Sequence, residues 1–166
     1  DTFNLGISGG FSSPFTADVI AGADLIVGWG CALNMWTMRH GSLISPDAKV
    51  AQVDVEDSAL GANRPIAFGV LGDCAETAAA VRIELEAAAH RSVGHRSQEM
   101  ARRIAAESRW NSVTTEDLST SDTIDPRVLT RELDKLLPAE RIVAIDSGNF
   151  MGYPSTYLDV PDEFGF

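Results

Sequence analysis

The chain is short of the residues that most metal and redox chemistry needs. Its two cysteines, Cys31 and Cys74, lie far apart with no CxxC spacing, and its three histidines, His40, His90 and His95, do not bracket them as zinc ligands would. Such sparse cysteine points to a reduced interior and a cytoplasmic setting. Long apolar runs are also missing. The stretches at 25–27 and 87–89 fall far short of the roughly 20 residues that cross a bilayer, which excludes a spanning helix and a membrane partner. Positive charge is scarce: 13 Lys and Arg stand against 24 Asp and Glu, for a net charge of -11 and a pI near 4.5. That balance repels polyanions and excludes nucleic acid as a partner. The chain opens at Asp1 with no initiator Met and no charged and apolar leader pattern, so residues removed in front of it are expected.

What is present is ordinary for a folded domain. A hydrophobic share of 45% and a charged share of 22% exclude disorder of the whole chain, and 166 residues hold one domain and a little more. Up to residue 90, short apolar runs alternate with helical stretches, the pattern of βαβ units and a parallel sheet. Strands are predicted at 24–29, 49–55 and 66–71. A helix opened by Ser12-Ser13-Pro14 feeds the first strand, and an Ala-, Glu- and Leu-rich helix over 75–89 follows the third. Residues 90–110 read as helical with one charged face. Residues 111–124 turn to Ser, Thr, Asp and Glu and read as a linker. Asp125-Pro126 then opens a helix with Val128, Leu129, Leu133, Leu136 and Leu137 on one face, stopped by Pro138. A strand is predicted at 141–145, and the tail from 151 shows no period. One helix and one strand cannot close a core, so 125–166 reads as the opening of a second domain after a first at 1–110.

Glycines at the carboxyl ends of strands are the first candidates for chemistry, because backbone approaches phosphate there and helix N-termini face it. Gly9 and Gly10 precede the first helix, Gly28 and Gly30 close the first strand, and Gly72 closes the third. None completes GxGxxG, and tight turns explain them equally. Asp54 and Glu56 end a strand, where a carboxylate accepts hydrogen bonds from ribose hydroxyls or simply terminates the strand. Asp73 suits an N-cap. Arg39-His40 reads as an anion site or as solvated surface, and Met35-Trp36-Met38 as core or interface. Asp146-Ser147-Gly148-Asn149-Phe150 ends the 141–145 segment in small and amide-bearing residues that can hold phosphate oxygens or form a plain turn.

Taken in order, these pieces resemble the thiamine diphosphate (ThDP)-dependent enzymes of the acetolactate synthase and benzoylformate decarboxylase type. The resemblance is carried by Ala23-Asp24-Leu25-Ile26-Val27-Gly28-Trp29-Gly30, by Ser45-Pro46-Asp47-Ala48-Lys49-Val50-Ala51-Gln52-Val53-Asp54-Val55-Glu56, by Gly61-Ala62-Asn63-Arg64-Pro65 and by Gly72-Asp73. It implies an α/β chain in which 1–110 is part of the Rossmann-like central domain, a parallel sheet with flanking helices. After the 111–124 linker, it implies that 125–166 is the first helix and strand of the diphosphate-binding α/β domain. In such enzymes ThDP lies between two subunits, with Mg2+ on its diphosphate, and its C2 carbanion attacks a 2-keto acid.

By that resemblance Gly148, Asn149 and Phe150 line the ThDP diphosphate, while Ser147 matches less well. Gly9, Gly10, Gly30, Asp54, Gly72 and Asp73 match a vestigial FAD or nucleotide site. The Arg that FAD-binding members carry after Gly30 is replaced by Cys31-Ala32-Leu33-Asn34. Gly72-Asp73-Cys74 is not the family's Mg2+-binding Gly-Asp-Gly, and the activating Glu belongs upstream of Asp1. The expectation is therefore part of a 2-keto acid decarboxylase or carboligase, with no catalytic residue or metal ligand of its own and inactive alone. Its partners would be the pyrimidine and diphosphate domains of the same polypeptide, in a homodimer or homotetramer. A free-standing Rossmann-type nucleotide-binding module and a purely structural bridging domain are the alternatives.

Overall fold

Ser13 starts the first helix by local chemistry. Its extended backbone and its hydroxyl, which accepts from the Thr16 amide at 3.2 Å, cap α1 (Pro14–Ala21), and Pro14 supplies a preset φ at the first helical position. The computed structural model describes residues 2–91, 94–146, 148–162 and 164–166. After α1 come β1 (Leu25–Trp29), β2 (Lys49–Asp54) and β3 (Phe68–Leu71), then α2 (Cys74–Ala87), α3 (Gln98–Glu107), α4 (Pro126–Leu136) and α5 (Gly152–Tyr157). The strands form one parallel sheet in the order β1-β2-β3, with Ile26 opposite Val50 and Val53 opposite Val70. The chain is α/β with a parallel sheet and flanking helices, as its alternating pattern predicts.

Register decides which side chains share a face, because neighbours in a parallel ladder point the same way. Ile26, Val50 and Gln52 face α1 and the loop after β1, where Ala17, Leu33, Met38, Leu43 and Val50 make the buried core. The other face holds buried Ala51 and Val53 beside α2. On that same face Leu25, Trp29 and Phe68 remain 52%, 41% and 59% exposed, and α2 has no buried residue of its own. One face of the sheet is thus filled and the other only covered along its middle.

Gln52 is the polar member of the filled face, at 1% exposure. Its amide nitrogen donates to the Cys31 carbonyl at 3.0 Å, and its carbonyl accepts from the Gly61 amide at 2.8 Å. The central strand therefore holds the loops after β1 and after β2 with one side chain. Asn63 and Arg64 add donors to the carbonyls of Ala32 and Leu33, at 2.8 and 2.9 Å.

Three expectations for the second half need correction. The helix predicted over 75–89 forms as α2, but among the described residues the helical stretch predicted over 90–110 is α-helical only in α3. Ala89 adopts a left-handed φ of 50° that closes α2, and Ser97 caps a new helix by accepting from the Met100 amide at 3.0 Å. The strand predicted at 141–145 does not form: a strand needs a ladder, whereas the Val143 amide donates to the Gly165 carbonyl at 2.7 Å and Ile142 lies open to solvent. The tail, read as aperiodic, carries a 3-10 turn over Asn149–Met151 and then α5. Pro154 falls in the first turn of α5, where its missing N–H costs nothing.

Asp125 caps α4 as its sequence position suggests, and it is nearly buried. Its carboxylate accepts from the Arg127 backbone amide and from the Arg127 guanidinium, both at 2.9 Å, and from the Leu118 amide at 3.2 Å. The Arg127 guanidinium, outweighing the effect of burial, holds the carboxyl well below the usual carboxylate range.

Two measurements check these contacts. Gln52→Leu leaves two half-buried backbone groups without their side-chain partner, and urea unfolding should show a loss of about 1–3 kcal/mol. The depressed Asp125 carboxyl means that its contribution is complete above about pH 4 and fades as pH falls toward its folded value. The wild-type melting temperature should therefore drop on acidification below about pH 4, and Asp125→Asn should show a visibly flatter acid limb.

Candidate functional site

The carboxyl edge of the sheet gathers four of the predicted residues. The Gly30 amide donates to the Val53 carbonyl at 2.9 Å and the Gly72 amide to the Asp54 carbonyl at 2.8 Å, so the ladder continues one residue past each strand. Asp54 accepts from the Glu56 amide at 3.1 Å and turns the chain. Asp73 caps α2, its carboxylate accepting from the amides of Ala75 and Glu76 at 2.8 and 3.0 Å. A Cβ on Gly72 would lie 3.1 Å from the Thr77 hydroxyl. The closeness that these positions demand is thus met within the chain.

Gly9 and Gly10 differ sharply from one another. Gly9 has φ of +94°, and a Cβ there would stand 1.7 Å from the Trp36 carbonyl oxygen, whereas nothing lies within 4 Å of one on Gly10. The Gly10 amide donates to the same Trp36 carbonyl at 3.0 Å. Arg39 completes the junction by donating to the Ser12 carbonyl and hydroxyl at 3.1 and 2.8 Å. Its guanidinium is committed to this loop, and His40 beside it is exposed. Of the Met35-Trp36-Met38 group, Met38 is core, while Met35 and Trp36 are exposed. The 9–13 loop is therefore stapled to the 34–41 loop that leaves β1.

The predicted diphosphate-lining residues sit elsewhere, ahead of α5. Gly148 has φ of +136° and ψ of -179°, a region only glycine enters freely, and a Cβ there would meet the Phe150 ring at 3.0 Å. The Met151 amide closes the turn on the Gly148 carbonyl at 3.2 Å, and Phe150 is exposed. Asn149 begins the 3-10 turn. Ser147 lies outside the described residues.

A cluster that the sequence reading did not single out stands beside this turn. Trp110 and Tyr157 meet edge to face at 6.2 Å, and the Arg131 guanidinium stacks 4.6 Å from the Tyr157 ring centre. Arg131 also donates to the carbonyls of Trp110 and Val113 at 3.1 and 2.8 Å, and to the Thr115 hydroxyl at 3.0 Å. The indole N–H of Trp110 donates to the Phe11 carbonyl at 2.8 Å. Next to it opens a cleft of about 550 Å³, lined among others by Asn4, Ile7, Ile104, Arg109 and Asp159. Arg109 and Asp159 form an exposed ion pair there at 2.9 Å. The only hint of this cluster in the sequence is a Trp in front of a polar stretch. Among the described residues, no group of three or more His, Cys, Asp or Glu is placed to hold a metal ion.

The family model for the central domain of thiamine pyrophosphate enzymes matches residues 1–81. Residues 1–81 belong to that family. The match runs from the N-terminal loop through the sheet and into α2, so the ThDP-enzyme resemblance read from 23–30 and 45–56 falls on β1, β2 and their loops. The chain is also 26% identical over 159 residues to the sulfoacetaldehyde acetyltransferase of Roseovarius nubinhibens, covering 84% of this chain and 26% of the relative. The same identity and length relate it to the sulfoacetaldehyde acetyltransferase of Castellaniella defragrans, covering 84% and 27%. A probable sulfoacetaldehyde acetyltransferase of Rhizobium meliloti is 26% identical over 174 residues, covering 92% and 28%. The chain thus spans about a quarter of the length of the curated relatives it matches. Among the described residues, no helix is long and apolar enough to cross a membrane.

The two neighbouring glycines offer a direct check on the loop. Gly9→Ala combines a strained φ with a backbone clash and should cost about 2–4 kcal/mol in denaturant unfolding. Gly10→Ala, exposed and unobstructed, should stay within about 0.5 kcal/mol.

Proposed function

We propose that these residues are the scaffold part of a ThDP-dependent enzyme acting on a 2-keto acid or a related carbonyl substrate, of the acetolactate synthase-like decarboxylase or carboligase type. Residues 1–110 are the latter part of its central domain, 111–124 the linker, and 125–166 the start of the diphosphate-binding domain. The observation that carries this reading is the half-finished sheet in a segment of the central-domain family. Leu25, Trp29 and Phe68 are exposed on one face of the sheet, and among the described residues β1 and β3 each have an edge with no partner strand, as expected where further strands and domains pack. A self-sufficient module would cover that face.

The partners are accordingly the pyrimidine and diphosphate domains of the same polypeptide, in a homodimer or homotetramer. The names of the relatives add sulfoacetaldehyde to the substrates worth testing, with acetyl transfer as the reaction. The backbone at Gly148, Asn149 and Phe150 suits a diphosphate, since a glycine-only conformation leaves the chain bare where a Cβ would crowd the turn. ThDP would supply the carbanion that attacks the carbonyl carbon. In this reading Mg2+ is held by residues outside 1–166, and no catalytic group comes from this chain.

A second reading rests on the convergence of Gly30, Asp54, Gly72 and Asp73 at one sheet edge, with Gly9 and Gly10 at the start of α1. It places FAD or an adenine nucleotide there. Equilibrium titration of the 166-residue chain with FAD, ADP and ThDP plus Mg2+ separates the two. The leading reading expects no tight adenine-nucleotide binding and no turnover of pyruvate, benzoylformate or sulfoacetaldehyde by the chain alone. Measurable turnover would overturn it, and tight ADP or FAD binding would favour the second.

A further inference from the structure

Phe11 connects two loops that the sequence assigns to different domains. It follows directly on Gly9-Gly10, and the edge of its ring lies over Gly152: a Cβ on that glycine would stand 3.7 Å from Phe11 Cε1. Gly152 opens α5, immediately after the Asn149–Met151 turn. The Phe11 carbonyl is in turn held by the Trp110 indole at 2.8 Å, across 99 residues of sequence. Trp110 is fixed from the far side, because Arg131 binds its carbonyl and Tyr157 packs against its ring. The Arg131 Nε is buried without a hydrogen-bond partner, so its three contacts on 110–115 and the Tyr157 ring set where the guanidinium lies. A continuous chain of contacts therefore runs from α4 through Trp110 and Phe11 to the residue that starts α5.

We infer that Trp110 is a positioning residue that locks the 148–151 turn against the 9–11 loop, so that the presentation of the diphosphate-facing backbone depends on the indole N–H. The consequence for ThDP rests on the proposed function; the coupling of the two loops does not. A Trp that merely filled space would be replaceable by Phe at little local cost. Here that replacement keeps a ring against Tyr157 and removes one donor, leaving the Phe11 carbonyl unpaired.

The test uses Trp110→Phe and, as a second variant that cannot reproduce the fork of contacts, Arg131→Lys. In the 166-residue chain, hydrogen exchange reads the amides of Gly10, Ser12 and Met151, which donate to Trp36, Gly9 and Gly148. Both variants should speed their exchange about tenfold while amides in β2 and α2 keep wild-type rates. Equal acceleration everywhere, or none at Met151, would overturn the coupling. In the longer enzyme proposed above, Trp110→Phe should raise the KM for ThDP about tenfold, with kcat at saturating ThDP within about twofold of wild type. A ThDP-dependent wild-type enzyme whose KM is unmoved by Trp110→Phe overturns the inference and spares the proposed function. A wild-type enzyme with no ThDP dependence overturns the proposed function and the cofactor consequence together, and leaves the coupling to the exchange result.

Discussion

The organisation of the first half depends on Gln52. β2 is the central strand, and a buried strand in a parallel sheet is ordinarily apolar on both faces. Here the middle of that strand carries an amide whose two ends are spent on the Cys31 carbonyl and the Gly61 amide. Those loops leave β1 and β2 at the carboxyl edge, and the Gln52 amide supplies a partner to one half-buried backbone group in each. One side chain thereby sets the distance between the two loops and, through Leu33 and the residues after it, the seat of the 9–13 loop. Burial alone would leave the loops free to slide; a hydrogen bond at each end does not.

The same sheet explains why its other face is thinly covered. Among the described residues α2 is the helix that packs on its middle strand, and α2 is capped by Asp73 while Val81, Ile83 and Leu85 remain exposed. Apolar residues on both the helix and the outer strands are thus left open to solvent. A scattered exposed Leu is ordinary in any protein. A face in which β1, β3 and α2 each contribute exposed aliphatic or aromatic residues is the kind that another part of a structure packs against.

Elements with local chemistry were legible from the sequence. Ser13-Pro14, Gly72-Asp73 and Asp125-Pro126 each announce a helix by a capping oxygen, a proline or both, and all three helices begin there. The β-branched run at 49–55 could only be a strand. What misled was segments whose structure depends on distant partners. The apolar residues at 142–145 have strand propensity but no neighbouring strand to pair with, so the propensity has nothing to express it. The tail looked aperiodic because α5 is a single short turn carrying a proline, stabilised by Trp110 and Arg131 from outside. The candidate site divides along the same line: the glycines and Asp54 were visible at strand ends, whereas the Trp110 cluster is assembled from residues separated by long stretches of chain.

That division bears on how the two candidate loops should be understood. Gly9 is required by Trp36, Gly72 sits against Thr77, and Asp73 caps α2, so the fold itself accounts for these residues at the sheet edge without any ligand. Gly148 is different. Its conformation is open only to glycine, and the crowding a Cβ would bring comes from Phe150, an exposed side chain of the same turn, and not from a packed neighbour. Among the described residues, the atoms nearest to a Cβ there are all of Phe150 and none is of the core. A glycine needed by packing explains itself, whereas a glycine held in a costly conformation at an exposed turn points outward, toward whatever the bare backbone meets. By that criterion the 148–150 turn is the stronger candidate for a cofactor contact and the sheet edge the weaker one, and the Trp110–Phe11 link joins the segment after that turn to the 9–11 loop.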